Sequence, residues 1–188
     1  MIKGEDIKRL IPQREPFIMV DEFEEYDDNS AGTVLNVCPD NYFILPDGTM
    51  AETGLIEHLA QSCSALSGYK ALMEAPSSGE HQEEVPPPPV GLIGEVKQFD
   101  CHRRPRLGEK LKSNVTFGFS FGNVTLATGQ TFVDDELIAD IQLKIDDLGA
   151  SVICTLALPE ASVMASLFNF PFSLNVNDTG RPGTGMSL

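Results

Sequence analysis

Glu57 is the side chain best placed to do chemistry in this sequence, because it is a carboxylate within an otherwise apolar helix start, MAETGLIEHLAQ at residues 50–61. A carboxylate is costly to remove from water unless it is paired or used. At helical spacing Glu57 shares one face with Gln61, Ser64 and Gly68. A carboxyl group whose pKa is raised by burial acts as a general acid or base, and Gln61 is placed to hold it. The alternative is a structural glutamate, favoured by the helix dipole and bonded to Gln61.

The three histidines are poorer candidates than Glu57. His58 lies about 100° around the helix from Glu57, so the two side chains cannot face one substrate atom from this helix. We expect His58 to be hydrogen-bonded in the interior or exposed, with contact to a partner subunit as the alternative. His102 lies among arginines in DCHRRPR and adds to a basic patch, and His81 lies in a proline-rich loop, where we expect it to be solvated.

Composition argues against several classes of site and partner. The four cysteines form no CxxC pair, so no metal site is expected, and no GxSxG, P-loop or GxGxxG motif points to a cofactor. The net charge of −15 argues against nucleic acid as the main partner. No run of about 18 apolar residues indicates a membrane span. The N-terminus has no apolar signal-peptide core, so we expect a cytoplasmic protein with reduced cysteines.

Basic side chains are concentrated in two short stretches despite the acidic net charge. Four lie within residues 3–14 and five within residues 103–112, which together hold nine of the thirteen lysines and arginines. A local basic patch on an acidic protein docks a small acidic partner without general stickiness. The alternative is a solvated loop and strand end.

The elements that position these residues follow from hydrophobic periodicity and turn signals. An apolar stripe predicts a helix over residues 50–73, and Thr49 with Glu52 predicts a capping box at its start. The predicted strands are 16–21 running into an acidic stretch, 31–38, 91–99, 110–121, 124–134 and 137–145, with a short helix at 7–10 and a loop at 76–89. Tight turns at 122–123 and 134–135 indicate an antiparallel meander. Two strands, one long helix and four strands predict an α+β fold, in which an antiparallel sheet wraps around the helix.

The chain divides by charge into a domain at residues 1–147 and a tail at residues 148–188. The tail contains three charged side chains, and residues 177–188 are rich in Gly, Pro, Ser and Thr. We expect the tail to be partly disordered. A docking extension and a non-native terminus both remain open as explanations of the tail.

Three motifs in order resemble the hotdog-fold 3-hydroxyacyl carrier-protein dehydratases. Residues 10–21, LIPQREPFIMVD, are similar to that family's opening segment LPHRYPFLLVD. Residues 50–61 are similar to its central-helix motif MPGVLIIEAMAQ. Gly94 and residues 103–109, RRPRLGE, are similar to its strand and turn GID…KRPVVPGD. The resemblance covers residues 5–147 and is moderately specific because the three motifs occur in order.

The resemblance implies a hotdog fold and an acyl thioester substrate. Glu57 falls on the family's catalytic acid and Gln61 on the glutamine of its motif. The residues implied to bind the acyl thioester are Phe43, Leu45, Met50 and Gly94. An acidic acyl carrier protein would meet Arg103, Arg104 and Arg106. Hotdog proteins pair edge to edge, so the resemblance also implies a homodimer, or a heterodimer with another hotdog subunit.

The sequence differs from the family's motifs at several positions, and one of them is the histidine that removes a proton in the family's reaction. The family's catalytic histidine aligns near Phe43, the histidine of its opening segment is Gln13, and the Pro-Gly before its helix is Ala51-Glu52. This form resembles a divergent branch associated with aryl-polyene and flexirubin biosynthesis. Three functions follow as hypotheses: a dehydratase or dehydratase subunit, a non-catalytic hotdog subunit that binds acyl thioesters or stabilises an active partner, and a hotdog thioesterase.

Overall fold

The computed structural model describes residues 1–74 and 91–147. The elements within them are β1 (Ile2–Lys3), a 3₁₀ helix (Gly4–Arg9), β2 (Glu22–Asp27), β3 (Ser30–Asn36), α1 (Glu52–Glu74), β4 (Gly91–Cys101), β5 (Lys110–Phe121), β6 (Val124–Val133) and β7 (Glu136–Asp147). The predicted proline-rich loop with His81, and the predicted tail with Cys154, lie outside the described residues.

The seven strands form one antiparallel sheet in the order β1-β2-β3-β5-β6-β7-β4. Consecutive strands β5, β6 and β7 pair as hairpins, which confirms the predicted meander. At the turn between β6 and β7, Asp134 and Asp135 both have positive φ, 46° and 69°, the backbone that a two-residue type I′ hairpin turn requires. In the described part of the chain β4 pairs with β7 alone, so β4 forms one edge of the sheet.

The helix α1 packs against the sheet and buries its apolar stripe there. One cluster joins Leu59 and Cys63 to Val115, Ile141 and Leu143 of the sheet. A second cluster surrounds the helix start and includes the fully buried Met50, Leu55, Leu111 and Ile138. Burial of each such large apolar side chain contributes roughly 1.5–3 kcal/mol. The α+β prediction of a sheet around one long helix is therefore confirmed.

The prediction of a strand over residues 16–21 is wrong, because pairing with β3 begins only at Asp21, whose N–H donates to the carbonyl oxygen of Val34. Upstream of that point the backbone polar groups of Phe17 and Met19 bond to the side chain of Gln61 instead of to a neighbouring strand. Because the Gln61 side chain satisfies these backbone groups, this segment does not need to pair with a neighbouring strand.

The predicted capping box is also wrong. Thr49 donates its hydroxyl hydrogen to Oδ1 of Asp47 at 2.7 Å, and its backbone N–H donates to the same oxygen at 3.0 Å. Glu52 accepts a hydrogen bond from Arg104 at 3.1 Å. Asp47 therefore forms the local turn with Thr49, and α1 begins at Glu52 without a Thr49 cap.

Among the residues that the structure describes, no helix is both long enough and apolar enough to cross a membrane.

Candidate active site

The segment that precedes β2 crosses α1 on the face that carries Glu57. Gly68 marks one end of this crossing, since a Cβ at Gly68 would lie 2.7 Å from the carbonyl carbon of Leu10. Nearer the helix start, Gln61 bonds to the backbone of Phe17 and Met19. The segment therefore runs antiparallel to the helix, over its polar face.

Gln61 is fixed by hydrogen bonds on both ends of its amide. Its Oε1 accepts from the N–H of Met19 at 2.7 Å, and its Nε2 donates to the carbonyl oxygen of Phe17 at 2.6 Å. Nε2 also donates to Oε1 of Glu57 at 2.7 Å. Because a flipped amide would place its oxygen against the Phe17 carbonyl and its nitrogen against the Met19 N–H, the amide has one allowed orientation. That orientation always presents an N–H to Glu57.

Glu57 is a largely buried carboxyl group whose partner is neutral. Burial raises the pKa of Glu57 above its ordinary value, and the hydrogen bond from Gln61 lowers it by a smaller amount. The raised pKa makes the carboxyl group harder to deprotonate than an exposed glutamate. Since Gln61 occupies Oε1, Oε2 is the oxygen placed to give or take a proton. The predicted pair of Glu57 and Gln61 is thus brought together in a geometry suited to general acid–base chemistry.

Two of the predicted substrate-binding residues lie at the start of the same helix face. A Cβ at Gly54 would lie 2.7 Å from Cβ of Phe43 and 2.8 Å from Cγ of Met50. Gly54 precedes Glu57 by three residues, so it shares that face and gives both side chains room. Phe43 is half-buried there and Met50 is fully buried. The residue aligned with the family's histidine therefore lies one helical turn from Glu57, as a phenylalanine.

The other two predicted substrate-binding residues are placed differently. Leu45 is half-buried in the turn before α1, where its N–H donates to the carbonyl oxygen of Thr49 at 2.8 Å. Gly94 lies apart on the edge strand β4, as the extra residue of a bulge between Ile93 and Glu95. Within the chain, the structure groups Phe43, Leu45 and Met50 near the helix start and leaves Gly94 elsewhere.

Aromatic rings connect the crossing segment to Phe43. The ring centroids of Phe17 and Tyr42 lie 4.9 Å apart, and those of Tyr42 and Phe43 lie 5.5 Å apart with an edge-on arrangement. Such pairs are favourable beyond their buried area. Phe17 and Tyr42 were not predicted as part of the site, although the place of Phe17 in the opening motif was a signal for it.

The chain matches the family of ApeP-like proteins, described as ApeP dehydratase, over residues 5–145. It belongs to the ApeP-like dehydratase family. It is also 31% identical over 140 residues to the 3-hydroxyacyl-[acyl-carrier-protein] dehydratase FabZ of Natranaerobius thermophilus, which covers 73% of this chain and 92% of that protein. The predicted resemblance to these dehydratases and to the branch linked to aryl polyenes is confirmed.

Solved structures confirm the hotdog fold of this ApeP-like chain. The dehydratase heterocomplex ApeI:P from Xenorhabdus doucetiae is similar with a TM-score of 0.62 and 17% identity, over 87% of this chain and 97% of that one. A hypothetical thioesterase with coenzyme A from Streptococcus pneumoniae is similar with a TM-score of 0.51 and 10% identity, over 68% of this chain and 85% of that one. At these low sequence identities, the structural similarity is evidence for a shared fold alone.

His58 of the ApeP-like chain is buried and hydrogen-bonded, which is one of the two states expected for it. Its Nδ1 lies 2.6 Å from the carbonyl oxygen of Met19, and its Nε2 lies 2.8 Å from Oγ of Ser113. Burial lowers the pKa of His58 to about 4. The imidazole is therefore neutral at pH 7 and directed into the sheet, so it does not serve as the base beside Glu57.

The three predicted docking arginines lie in the turn before β5, among carboxylates. Arg103 pairs with Glu109 and Glu136, each at 2.9 Å, and Arg104 pairs with Glu52 at 3.1 Å. The side chain of Arg106 forms no ion pair with another described residue. Their turn is joined to the segment before α1, since the N–H of Met50 donates to the carbonyl oxygen of Pro105 at 2.8 Å. The arginines thus lie near the start of α1, where Phe43 and Met50 pack next to Gly54.

Two buried polar atoms near the site have no hydrogen-bond partner among the described residues: Oγ of Ser64 and Oε1 of Gln13. Ser64 follows Gln61 by three residues on the same helix face, and Gln13 belongs to the segment that crosses that face. Gln13 was noted in the sequence only as a departure from a histidine. Ser64 and Gln13 therefore add polar atoms to the candidate site, beside those of Glu57 and Gln61.

Within residues 1–74 and 91–147, no cluster of three His, Cys, Asp or Glu side chains is arranged to hold a metal ion. Cys38, Cys63 and Cys101 are free thiols in the same part of the chain.

Proposed function

We propose that the chain takes part in dehydrating 3-hydroxyacyl thioesters carried by an acyl carrier protein, and that it supplies Glu57 to a site completed by a second hotdog subunit. The observation that carries the proposal is the largely buried Glu57 carboxyl group, which is held by Gln61, while Phe43 packs next to Gly54 one helical turn before it. Membership of the ApeP-like dehydratases supports the reaction class.

Loss of water from a 3-hydroxyacyl thioester requires two proton transfers. A base removes a proton from C2, and the electron pair forms the double bond between C2 and C3. The bond from C3 to oxygen then breaks as an acid gives its proton to the hydroxyl group, which leaves as water. Glu57 suits the acid role, because burial raises its pKa and favours the protonated form. Its Oε2 would deliver the proton, since Oε1 is held by Gln61.

The described residues of this chain offer no good base beside Glu57. Phe43 has no ionisable group, and the His58 nitrogens are hydrogen-bonded to Met19 and Ser113. A histidine contributed by a second hotdog subunit would fill the role. The protein from Xenorhabdus doucetiae, which is described as a dehydratase heterocomplex and is similar in fold, supports such an assembly.

We propose that the partner pairs with the edge strand β4. In the described part of the chain that strand bonds to β7 on one side, which leaves backbone groups on its other side available to another strand. Gly94 lies on this strand, so its proposed contact with the acyl thioester depends on the partner. A homodimer through the same edge is the alternative, but it would bring two Phe43 side chains and no histidine from that position.

The acyl carrier protein would approach from the helix start. We propose that Phe43, Leu45 and Met50 contact the acyl thioester there. The turn that carries Arg103, Arg104 and Arg106 would meet the acidic carrier protein, most directly through Arg106, whose side chain is not engaged by a described carboxylate. Carrier-protein substrates are consistent with a cytoplasmic location, which we also propose.

One experiment separates this function from its alternatives. The full chain, either alone or co-purified with a hotdog subunit that retains the family's histidine, is incubated with 3-hydroxyoctanoyl acyl carrier protein. The mass of the product is then measured by mass spectrometry. We expect loss of 18 Da, the mass of water, in the complex only. Turnover by the chain alone would contradict the need for a partner. Free thiol without dehydration would identify a thioesterase, and a complex as active with a Glu57→Gln chain would identify a non-catalytic subunit.

A further inference from the structure

His58 is the one histidine of α1, and it lies wholly inside the domain. It is fully buried, as are Ser113 on β5 and Thr131 on β6. The hydroxyl oxygens of Ser113 and Thr131 are 2.8 Å apart, and the same serine oxygen lies 2.8 Å from Nε2 of His58. The family motif that residues 50–61 resemble has alanine at this position.

The direction of each hydrogen bond in this network follows from its chemistry. The carbonyl oxygen of Met19 only accepts, so Nδ1 of His58 must carry the hydrogen that it donates. In the neutral ring Nε2 is then an acceptor, and Ser113 donates to it. The Ser113 oxygen in turn accepts from Thr131. The sheet thus holds His58 in the one tautomer that donates to Met19.

Met19 is held from both sides by neighbouring turns of the helix. Its carbonyl oxygen accepts from His58 at 2.6 Å, and its N–H donates to Oε1 of Gln61 at 2.7 Å. Gln61 then donates to Glu57. Hydrogen bonds in such a chain polarise one another, so the Met19 N–H strengthens the donor that Gln61 offers to Glu57.

We propose that His58 is a positioning residue, which fixes the backbone of Met19 and thereby holds Gln61 in the orientation that donates to Glu57. The proposal rests on the proposed function only for the catalytic importance of Glu57. His58 itself does not touch the substrate, because its ring nitrogens face Met19 and Ser113. Burial lowers the pKa of His58, and the charge of Asp21 raises it by a smaller amount.

Two variants of similar size separate positioning from simple core packing. The amide nitrogen of Asn coincides with Nδ1, so His58→Asn keeps the donor to Met19 and loses contact with Ser113. The amide of Gln coincides with Nε2, so His58→Gln keeps Ser113 and loses the donor to Met19. The full-length chain is labelled with ¹³C at glutamate Cδ and with ¹⁵N. The titration of Glu57 and the side-chain amide signals of Gln61 are then followed by NMR.

We expect His58→Asn to leave the Glu57 titration at the wild-type pH. In His58→Gln the Glu57 midpoint should move to higher pH and the Gln61 amide protons should exchange faster, because the donor that lowers the pKa of Glu57 is loosened. Identical behaviour of the two folded variants, or a wild-type titration in His58→Gln, would overturn the proposal. If only one of the two variants folds, comparing its Glu57 titration with that of wild type still tests the proposal.

A second measurement distinguishes failure here from failure of the proposed function. In the complex with the histidine-bearing hotdog subunit, His58→Gln should lower kcat by roughly tenfold with little change in KM, while His58→Asn stays near wild type. If the complex performs no dehydration with any variant but the NMR shifts occur as expected, the positioning role stands and the proposed function fails. If kcat is unaffected in both variants while Glu57 remains essential, positioning by His58 is contradicted.

Discussion

Nε2 of Gln61 donates a hydrogen bond of 2.7 Å to Oε1 of Glu57. The two residues are one helical turn apart, and the same glutamine amide bonds to the backbone of the segment crossing the helix. One side chain therefore links the fold of the N-terminal segment to the proton affinity of the proposed catalytic acid.

Replacing Gln61 with Leu should destabilise the domain by about 2–4 kcal/mol, because it leaves two backbone groups, the N–H of Met19 and the carbonyl of Phe17, without partners. Urea denaturation at pH 7 measures this loss. Gln142→Leu, at an exposed position on β7, is the matched control and should change stability by less than about 0.5 kcal/mol. Equal effects of the two substitutions would show that Gln61 does not hold the crossing segment.

Glu57 should make the folded state less stable as the pH rises. Burial raises its pKa in the folded protein, so between the ordinary glutamate pKa and the raised value the folded state binds more protons than the unfolded state, and stability falls as protons leave. Above the raised pKa the loss is complete. Glu57→Gln removes this titration, so its stability relative to wild type should increase from pH 4 to pH 8. A constant difference in the free energy of unfolding across that range would contradict a raised pKa.

His58 should have the opposite effect on stability in acid. Its pKa is lowered to about 4 by burial, so the unfolded state binds the proton first as the pH falls through the ordinary histidine range. Stability from this group is full above the unfolded pKa and is lost progressively towards pH 4, by up to about 3 kcal/mol. Urea denaturation of wild type and His58→Asn at pH 7 and pH 4.5 tests it. A wild type that loses no more stability than His58→Asn would refute the burial of a neutral imidazole.

Arg106 should contribute to carrier-protein binding more than its neighbours, because described carboxylates engage Arg103 and Arg104. Arg106→Glu should weaken binding of the acyl carrier protein by about tenfold at low salt and reduce its salt dependence. Arg9→Glu makes the same charge change in the other basic stretch and serves as the control. Surface plasmon resonance at two salt concentrations measures both variants. Equal weakening by both variants would point to net charge and not to a docking turn.

Much of the fold could be predicted because its signals are local. The stripe of Leu59, Cys63 and Leu66 predicts the helix, and the alternation along residues 137–145 predicts β7, whose Ala139, Ile141 and Leu143 are buried. The strand predicted over residues 16–21 fails for a non-local reason, since Gln61 lies 42 residues from the Met19 N–H that it binds. The backbone N–H of Thr49 likewise had two possible acceptors, the carboxylates of Glu52 and Asp47, and it donates to Asp47.

In the candidate site, too, local sequence spacing predicts some contacts and does not predict others. The four-residue spacing of Glu57 and Gln61 predicts their contact, and the angle of about 100° between successive helix positions predicts that His58 faces away from Glu57. The partners of His58 were not predictable, because Ser113 is 55 residues distant and reaches it only through the register of the sheet. The carboxylates that engage the arginines come from three different segments, which sequence spacing does not bring together.

The most direct test of the central claim is the single-turnover rate of dehydration by the complex of this chain with a histidine-bearing hotdog subunit. Glu57→Gln is compared there with Glu74→Gln, the same change at the exposed end of the same helix. Loss of the proton donor should slow dehydration by about 10²–10⁴-fold, while Glu74→Gln should match wild type. Dehydration at the wild-type rate by the Glu57→Gln complex would contradict the assignment of Glu57 as the catalytic acid.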